Sequence, residues 1–191
     1  MAQARSSGPR GNGENPLTDR HLAALLGGAD ADLLAVISIL ALSGMRFDEL
    51  RRLRVAQCGR GAFRVGACAA NLGPREVPIH SALAGTTIRL TKQRAGDALL
   101  IGDGAEFGRA PSATERRFDA CRDTAGVVGP SPDIHGLRRW FVAAALEAGQ
   151  PPEAVAAEIG HVLRPGDARP KPTWGQRRAC VEAVQLPLAT L

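Results

Sequence analysis

Two helical patterns in the C-terminal third of the chain, each followed by a glycine, constrain the fold most strongly. Residues His135 to Ala148 carry apolar side chains at helical spacing and are followed by Gly149. Residues Pro151 to Ile159 repeat the pattern and are followed by Gly160. Glycine ends helices because it enters the left-handed backbone conformation without a steric penalty. The sequence therefore predicts two helices in succession, each with a defined end.

Side chains suited to binding phosphate stand at the ends of three predicted helices. His135 and Arg138 open the first of the two helices in a His-x-x-Arg spacing, and His161 follows the glycine that ends the second. Upstream, Arg46 lies in Gly-Met-Arg-Phe-Asp-Glu-Leu at the start of a short helix. Helix N-termini already offer free N–H groups and a partial positive charge. Because these groups can converge on one phosphate, the pattern predicts a phosphodiester site.

The remaining periodicity predicts one mostly helical α+β domain with a small antiparallel β-hairpin or sheet. Residues 1–15 contain almost no apolar side chains and are expected to form a disordered tail, followed by one domain over 16–191 in which 164–191 is largely irregular. The period-two segments Phe63 to Cys68 and Arg75 to Ile79 bracket an Asn-Leu-Gly-Pro turn. Further helices are predicted from the cap Thr18 to Gly28, over Asp32 to Ser43, over Glu49 to Leu53 with the cap Asp48 and the arginines outward, over Ser81 to Arg94, from the cap Ser112 to Thr124, and over Gln176 to Val184.

The charge balance is compatible with a polyanionic partner but does not establish one. Lysine and arginine number 24 against 19 aspartates and glutamates, for a net charge of +5. Only two of these cations, Lys92 and Lys171, are lysines, and arginine is the residue suited to bidentate phosphate contacts. Ribosomal and membrane-surface proteins are equally basic. Charge therefore supports a nucleic-acid partner only together with the motifs.

The cysteines and the hydropathy argue against several other classes of protein. Cys58, Cys68, Cys121 and Cys180 contain no Cys-x-x-Cys pair, so we expect no zinc site, no disulfide framework and no other cofactor. No apolar run approaches the ~18 residues that span a bilayer, and the N-terminal stretch is polar. The sequence predicts a cytoplasmic protein with reduced cysteines and no membrane contact.

The order of the motifs resembles the catalytic domain of the tyrosine recombinases, the phage-integrase family. Arg46 is similar to the first arginine of that family, and His135 with Arg138 is similar to its His-x-x-Arg box. His161 is similar to the histidine of its Gly-His motif. Any one of these blocks alone would be a weak signal, whereas their order makes the resemblance specific.

The resemblance covers roughly residues 17–161 and implies a function in DNA recombination or integration. Arg75-Glu-Val-Pro-Ile-His is similar to the segment that follows the second strand of the family. The implied partner is double-stranded DNA, together with an intact recombinase or further copies of this chain on DNA. The two arginines would clamp the non-bridging oxygens of a phosphate, and the two histidines would donate to it or move protons.

The sequence departs from the family at the nucleophile. Members of the family cleave DNA by attack of a tyrosine hydroxyl on the scissile phosphate, and this sequence contains no tyrosine. Trp174 is nearest to the expected position, although it lies somewhat further beyond His161, and an indole N–H cannot attack phosphorus. The hairpin lysine that assists the leaving oxygen is also missing from Ala69-Ala-Asn-Leu-Gly. We therefore expect a recombinase-like pseudoenzyme that binds DNA without cleaving it. Three origins stay open: a remnant of a mobile element, a competitor of an intact recombinase, or the product of a coding change near the end of the gene.

Other titratable and aromatic side chains are predicted to be structural. We expect Glu49 to brace an arginine, Trp140 and Phe141 to lie in the core, and His21 and His80 to act in packing or capping. These structural roles are more common for such residue types than catalytic or binding roles.

Two other functional classes remain open at this stage. A helical DNA-binding transcriptional regulator would share the charge and the partner, but it needs an exposed recognition helix. The helix over His135 to Ala148 is largely apolar beyond its first turn, which favours burial. A phosphoesterase using His135 or His161 is the second alternative, and it lacks an acidic metal cluster.

Overall fold

The described part of the chain is a mostly helical domain with a small antiparallel sheet. The computed structural model describes residues 17–66, 74–102, 111–128, 133–161 and 171–187. Within these ranges the predicted mostly helical α+β class is confirmed. The elements are α1 (Asp19–Gly28), α2 (Ala31–Ser43), α3 (Phe47–Arg52), β1 (Cys58–Gly59), β2 (Ala62–Val65), β3 (Arg75–Pro78), α4 (Ala84–Thr91), α5 (Ala113–Thr124), α6 (Gly136–Glu147), α7 (Pro152–Glu158) and α8 (Trp174–Glu182). No helix of these ranges has the length and apolar character needed to cross a membrane.

Two of the predicted helix caps are confirmed. The Thr18 hydroxyl accepts the backbone N–H of His21 at 3.2 Å, and the Nδ1 of that histidine accepts the N–H of Thr18 in return. Ser112 and Glu115 form the reciprocal pair at the start of α5, with distances of 3.1 and 2.7 Å. Each pair satisfies two backbone donors that the first turn leaves unpaired. His21 is therefore a capping residue, as predicted.

The start of α3 differs from the prediction. The helix begins at Phe47 with Arg46 at the N-cap position, so Asp48 lies inside the first turn and is not the cap. The carboxylate of Glu49 accepts the Arg46 backbone N–H at 2.8 Å instead. Arg51 of this helix is buried, with its guanidinium 5.5 Å from the Phe47 ring centre. The prediction that the arginines of this helix all face outward is therefore wrong.

The sheet contains one strand that the sequence did not predict. β2 pairs with β3 in antiparallel register, with Val65 opposite Arg75, and on its other side with the two-residue strand β1. Arg60 and Gly61 connect β1 to β2, both with positive φ, which matches the right-handed twist of a tight hairpin. Most of the predicted Asn-Leu-Gly-Pro turn lies outside the described residues. The register places Arg75 at the first position of β3.

The core lies between α2 and α6. α2 is buried along most of its length and packs on α6, where Trp140 and Phe141 are buried as predicted. Gly44 ends α2 with a φ of +62°, and a Cβ built on it would lie 2.5 Å from the Phe141 ring. Only glycine fits this turn, both for its backbone and for its space. The turn carries the chain directly into Arg46.

α8 is fastened to the rest of the domain at its C-terminal end by His80. Its Nδ1 accepts the Ala82 N–H at 3.0 Å, so its Nε2 carries the proton and donates to the Val184 carbonyl at 3.0 Å. Ser81 donates its hydroxyl to Glu182 at 2.7 Å. His80 is 4% exposed. It is a packing residue, as predicted.

Candidate phosphate-binding site

Arg138 is held by two backbone carbonyls from different parts of the chain. From the first turn of α6 it donates Nη1–H to the Gly44 carbonyl at 2.8 Å and Nη2–H to the Ile159 carbonyl at 2.7 Å. Burial, together with the positive charges of Arg46 and Arg75 and against the opposing charge of Glu49, lowers the pKa of Arg138 to about 10. Arg138 is thus a positioned cation in an environment that is unfavourable for its own charge.

Arg46 stands beside Arg138 with one donor unsatisfied. After burial, the positive charge of Arg46 is the next largest cause that lowers the pKa of Arg138. The two guanidinium groups therefore lie near each other. The Arg46 Nε is buried and has no hydrogen-bond partner in the described part of the chain. A buried donor without a partner costs about 1–3 kcal/mol, and a bound anion would remove that cost.

Arg75 is the third arginine of the cluster and is bound on all sides. Both of its terminal nitrogens donate to the buried Glu49 carboxylate, one of them at 2.9 Å, and its Nε donates to the Glu158 carbonyl at 3.3 Å. Burial raises the pKa of Glu49, but hydrogen bonds and charge from Arg75 outweigh it, so the pKa lies below its ordinary value. Glu49 therefore braces an arginine, as predicted, and that arginine is Arg75.

Arg75 was not predicted as a site residue. A charged residue at the start of a strand is common on any surface, so only the segment that contains Arg75 carried the resemblance. The available signal was the combination of Arg75, at the start of a strand, with Arg46 and Glu49 at the start of α3. This combination becomes informative only when the strand and the helix are known to be neighbours. We use "arginine cluster" below for Arg46, Arg75 and Arg138.

The two predicted histidines adjoin the arginine cluster through the backbone. His161 follows Gly160, and its N–H bonds to the Ala156 carbonyl at 2.8 Å in the glycine-ended turn that closes α7. His135 immediately precedes α6, three residues before Arg138 and on the same face of the helix. Both imidazoles are exposed. Within the described residues neither imidazole hydrogen-bonds to an arginine, so a shared ligand for all four side chains remains a prediction.

Asp133 is a further residue that supports this part of the site. Its Oδ1 accepts the Gly136 N–H at 2.9 Å and binds Arg139 at 3.2 Å. This carboxylate therefore caps α6 and fixes the turn in which His135 stands. The arginine that Asp133 binds is Arg139, the exposed neighbour of Arg138 in the sequence.

Trp174, the residue nearest to the expected nucleophile position, is the first residue of α8. Its side chain is 40% exposed, and the Arg177 guanidinium lies 5.9 Å from its ring centre. Thr173 precedes it as the helix cap and accepts the Gln176 N–H at 3.3 Å. α8 starts two residues earlier than predicted because of this cap. The stretch 162–170 and the predicted hairpin position 69–73 lie outside the described residues.

The described ranges contain no metal-binding group, and their cysteines are free thiols. No group of three or more His, Cys, Asp or Glu side chains there is arranged to hold a metal ion. Cys58, Cys121 and Cys180 are free thiols, and Cys68 lies outside the description. Burial raises the pKa of Cys58 and Cys180 to about 11, so both are held as uncharged thiols. In these ranges, the arginine cluster is therefore the candidate site for binding an anion.

Comparison with solved structures identifies the fold. Over 96% of its length the chain superimposes on 60% of an integrase from mycobacterium phage Brujita, with a TM-score of 0.70 and 21% identity. Over 76% of its length it matches 94% of the lambda integrase catalytic core, with a TM-score of 0.59 and 19% identity. A lambda integrase dimer bound to a COC′ core site matches 82% of the chain and 60% of its own, with a TM-score of 0.59 and 16% identity.

The chain thus has the fold of the tyrosine-recombinase catalytic domain, as the sequence motifs predicted. It spans about three fifths of the phage Brujita integrase chain. No protein-family model and no curated protein matches the sequence. At these identities the likeness establishes the fold, and activity has to be argued from the site.

Proposed function

We propose that this chain binds double-stranded DNA by seating one backbone phosphate at Arg46 and Arg138, in a process of DNA recombination or integration. One observation carries the proposal. Arg138 is a half-buried cation fixed by two carbonyls and set beside two further arginines, an arrangement that disfavours its charge until an anion arrives. Unfavourable charge concentrated at one place is typical of a binding site.

The donors of the arginine cluster divide into bracing and binding sets. Arg75 gives its hydrogen bonds to Glu49 and the Glu158 carbonyl, whereas Arg138 gives one N–H from each terminal nitrogen to a carbonyl. A guanidinium carries five N–H donors, so Arg138 retains donors for a ligand. Arg46 offers its buried Nε. The exposed imidazoles of His135 and His161 complete the proposed phosphate contacts.

The proposed partner is duplex DNA, with an intact recombinase or further copies of the chain bound alongside. Support comes from the net charge of +5 and from the fold shared with a lambda integrase dimer bound to a COC′ core site. A cytoplasmic location, an origin in a mobile element and a single domain over 16–191 belong to the same proposal. Phosphate contacts position a protein on DNA without selecting a sequence, so we expect weak and salt-sensitive binding.

We further propose that the chain does not cleave the DNA that it binds. The sequence contains no tyrosine, and the indole of Trp174 cannot act as a nucleophile. The Thr173 hydroxyl is engaged in capping α8. A transition state stabilised by arginines still needs an attacking group. The proposed activity is therefore binding by a pseudoenzyme.

The alternative of a transcriptional regulator that reads DNA with α6 is less well supported. Gly136, Leu137, Trp140, Phe141 and Ala145 of this helix are buried, and α6 packs on α2. A recognition helix needs several exposed side chains that reach base edges. Burial of α6 instead serves to present Arg138.

A salt titration of duplex binding tests the proposal. We expect fluorescence anisotropy of a labelled duplex to show binding at low ionic strength that weakens steadily as salt rises. Arg46→Ala should weaken it about tenfold or more, because a charge-assisted contact is lost. Arg20→Ala, which removes the same charge from an exposed position on α1, is the matched control. Binding without salt dependence, or equal effects of the two substitutions, would contradict a phosphate site at Arg46.

A further inference from the structure

Glu158, in the last turn of α7, is a fully buried carboxylate with only one oxygen engaged. Its side chain has no exposed surface, and Oε2 accepts Nε–H of Arg177 on α8 at 3.1 Å. The other oxygen, Oε1, is buried without a partner in the described part of the chain. A buried acid with an unsatisfied oxygen is costly, and such groups call for a functional explanation.

Arg177 joins α8 to two other elements at once. Besides binding Glu158 of α7, it donates from Nη2 to the backbone carbonyl of Glu76 in β3. Its guanidinium also lies 5.9 Å from the ring centre of Trp174, the first residue of α8. Beneath it on the same helix, Cys180 and Val181 are fully buried. Arg177 thus fixes the N-terminal half of α8 against α7 and β3.

The end of α7 that meets Arg177 also holds the arginine cluster. The Glu158 carbonyl accepts Nε–H of Arg75 at 3.3 Å, and the next carbonyl, that of Ile159, accepts Nη2–H of Arg138 at 2.7 Å. The side chain of Glu158 therefore binds α8, while its backbone carbonyl binds the arginine cluster. A shift of this helix end would displace both guanidinium groups together.

We propose that Glu158 and Arg177 couple the packing of α8 to the arginine cluster, so that α8 seated on α7 and a phosphate bound at the cluster stabilise each other. The proposal rests on the proposed function for the identity of the ligand. Coupling between two sites is reciprocal, so a phosphate must strengthen the seating of α8 by the factor by which seating strengthens phosphate binding. Glu158 acts here as a positioning residue.

The protonation state of Glu158 sets the strength of the seat. Burial raises its pKa to about 7, against the opposing effects of Arg177 and Arg75. The titratable groups that face this carboxyl are Arg177 and Cys180 of α8 and Arg75 of β3. With α8 released, the pKa of the Glu158 carboxyl would return toward its ordinary value. The packed form therefore holds the proton more tightly than the released form. Packing is therefore favoured below a pH of about 7 and weakens as the pH rises through that value.

Hydrogen exchange of the α8 backbone amides, with and without a short duplex, tests the coupling in the full chain. We expect the duplex to slow exchange in α8 of the wild type. Arg177→Gln should speed that exchange and weaken duplex binding about fivefold or more beyond Arg178→Gln. Arg178 is exposed on the same helix, so both substitutions remove one charge. Should Arg177→Gln fail to fold, Arg177→Lys keeps the charge but replaces the planar guanidinium, whose separate nitrogens bind Glu158 and Glu76, with a single ammonium.

Glu158→Gln provides an independent arm because it imitates the protonated acid. Between about pH 6 and about pH 8, exchange in α8, corrected for its intrinsic rate, should accelerate in the wild type and stay level in this variant. Both proteins carry the same other titratable side chains, so the difference between them reports on Glu158. Equal effects of the Arg177 and Arg178 substitutions, or equal pH profiles, would overturn the coupling. If the wild type binds no duplex, the proposed function fails, while a pH response lost in Glu158→Gln still supports the seat.

Discussion

Gly160 lies against the guanidinium of Arg75, so closely that a Cβ built on Gly160 would stand 3.2 Å from the Arg75 Cζ. The residue also has a φ of +66°, in the left-handed region. Arg75 cannot move aside easily, because Glu49 and the Glu158 carbonyl hold it. The glycine before His161 therefore ends α7 and makes room for the arginine cluster.

Gly160→Ala is expected to cost more than the backbone strain alone. Gly149 ends α6 in the same way, with a φ of +76° and nothing within 4 Å of a built Cβ, so Gly149→Ala is the matched control. We expect about 1 kcal/mol of destabilisation at Gly149 and about 2 kcal/mol at Gly160, with weakened duplex binding only at Gly160. Urea unfolding and anisotropy titrations measure both. Equal losses at the two glycines would show that Arg75 yields to the new methyl group.

Arg138→Ala should separate binding from stability. Its charge is disfavoured in the folded state, so its removal should change the free energy of unfolding by no more than about 1 kcal/mol. Duplex binding should fall about tenfold or more, and its salt dependence should become shallower by about one phosphate contact. Arg139→Ala, next on α6 and bound to Asp133, serves as the comparison. A large loss of stability with unchanged binding would make Arg138 a structural residue.

Glu158 should make the stability of the domain fall as the pH rises. Burial raises its folded-state pKa to about 7 from an ordinary value of 4.5. The folded state therefore binds the proton more tightly, and this stabilisation is full at low pH and lost as the pH passes through about 7. Between pH 4.5 and about pH 7, the free energy of unfolding of the wild type should fall by on the order of 2–3 kcal/mol relative to that of Glu158→Gln. Denaturant titrations at a series of pH values would show parallel curves if Glu158 were ordinarily titrating.

No covalent protein–DNA adduct is expected from a nicked suicide duplex. The chain has no tyrosine to form one, and denaturing electrophoresis detects such adducts directly. Recovery of an adduct mapped to Thr173 or a histidine would contradict the proposal. Trp174→Tyr is the complementary variant, and we expect it to restore little activity, because the stretch 69–73 offers no lysine.

Local sequence determined the elements and the residue types of the site. Periodicity, caps and glycine stops located the helices of the described ranges to within a few residues, because they act between near neighbours. The order of the motifs indicated the recombinase-like fold before any contact was known. α4 (Ala84–Thr91) is three residues shorter at each end than predicted, and α3 begins two residues earlier than predicted, where Glu49 accepts the Arg46 N–H.

Tertiary structure alone decided how the site is assembled. Arg75 pairs with Glu49 across 26 positions, and Arg138 bonds to a carbonyl 94 positions away, distances over which no pattern in the chain carries information. The burial of Glu158 against Arg177 likewise depends on how α7 and α8 pack. Residue type fixes which charges a chain carries, but desolvation and the placement of neighbouring charges, which set their pKa and their availability, arise only when distant segments meet.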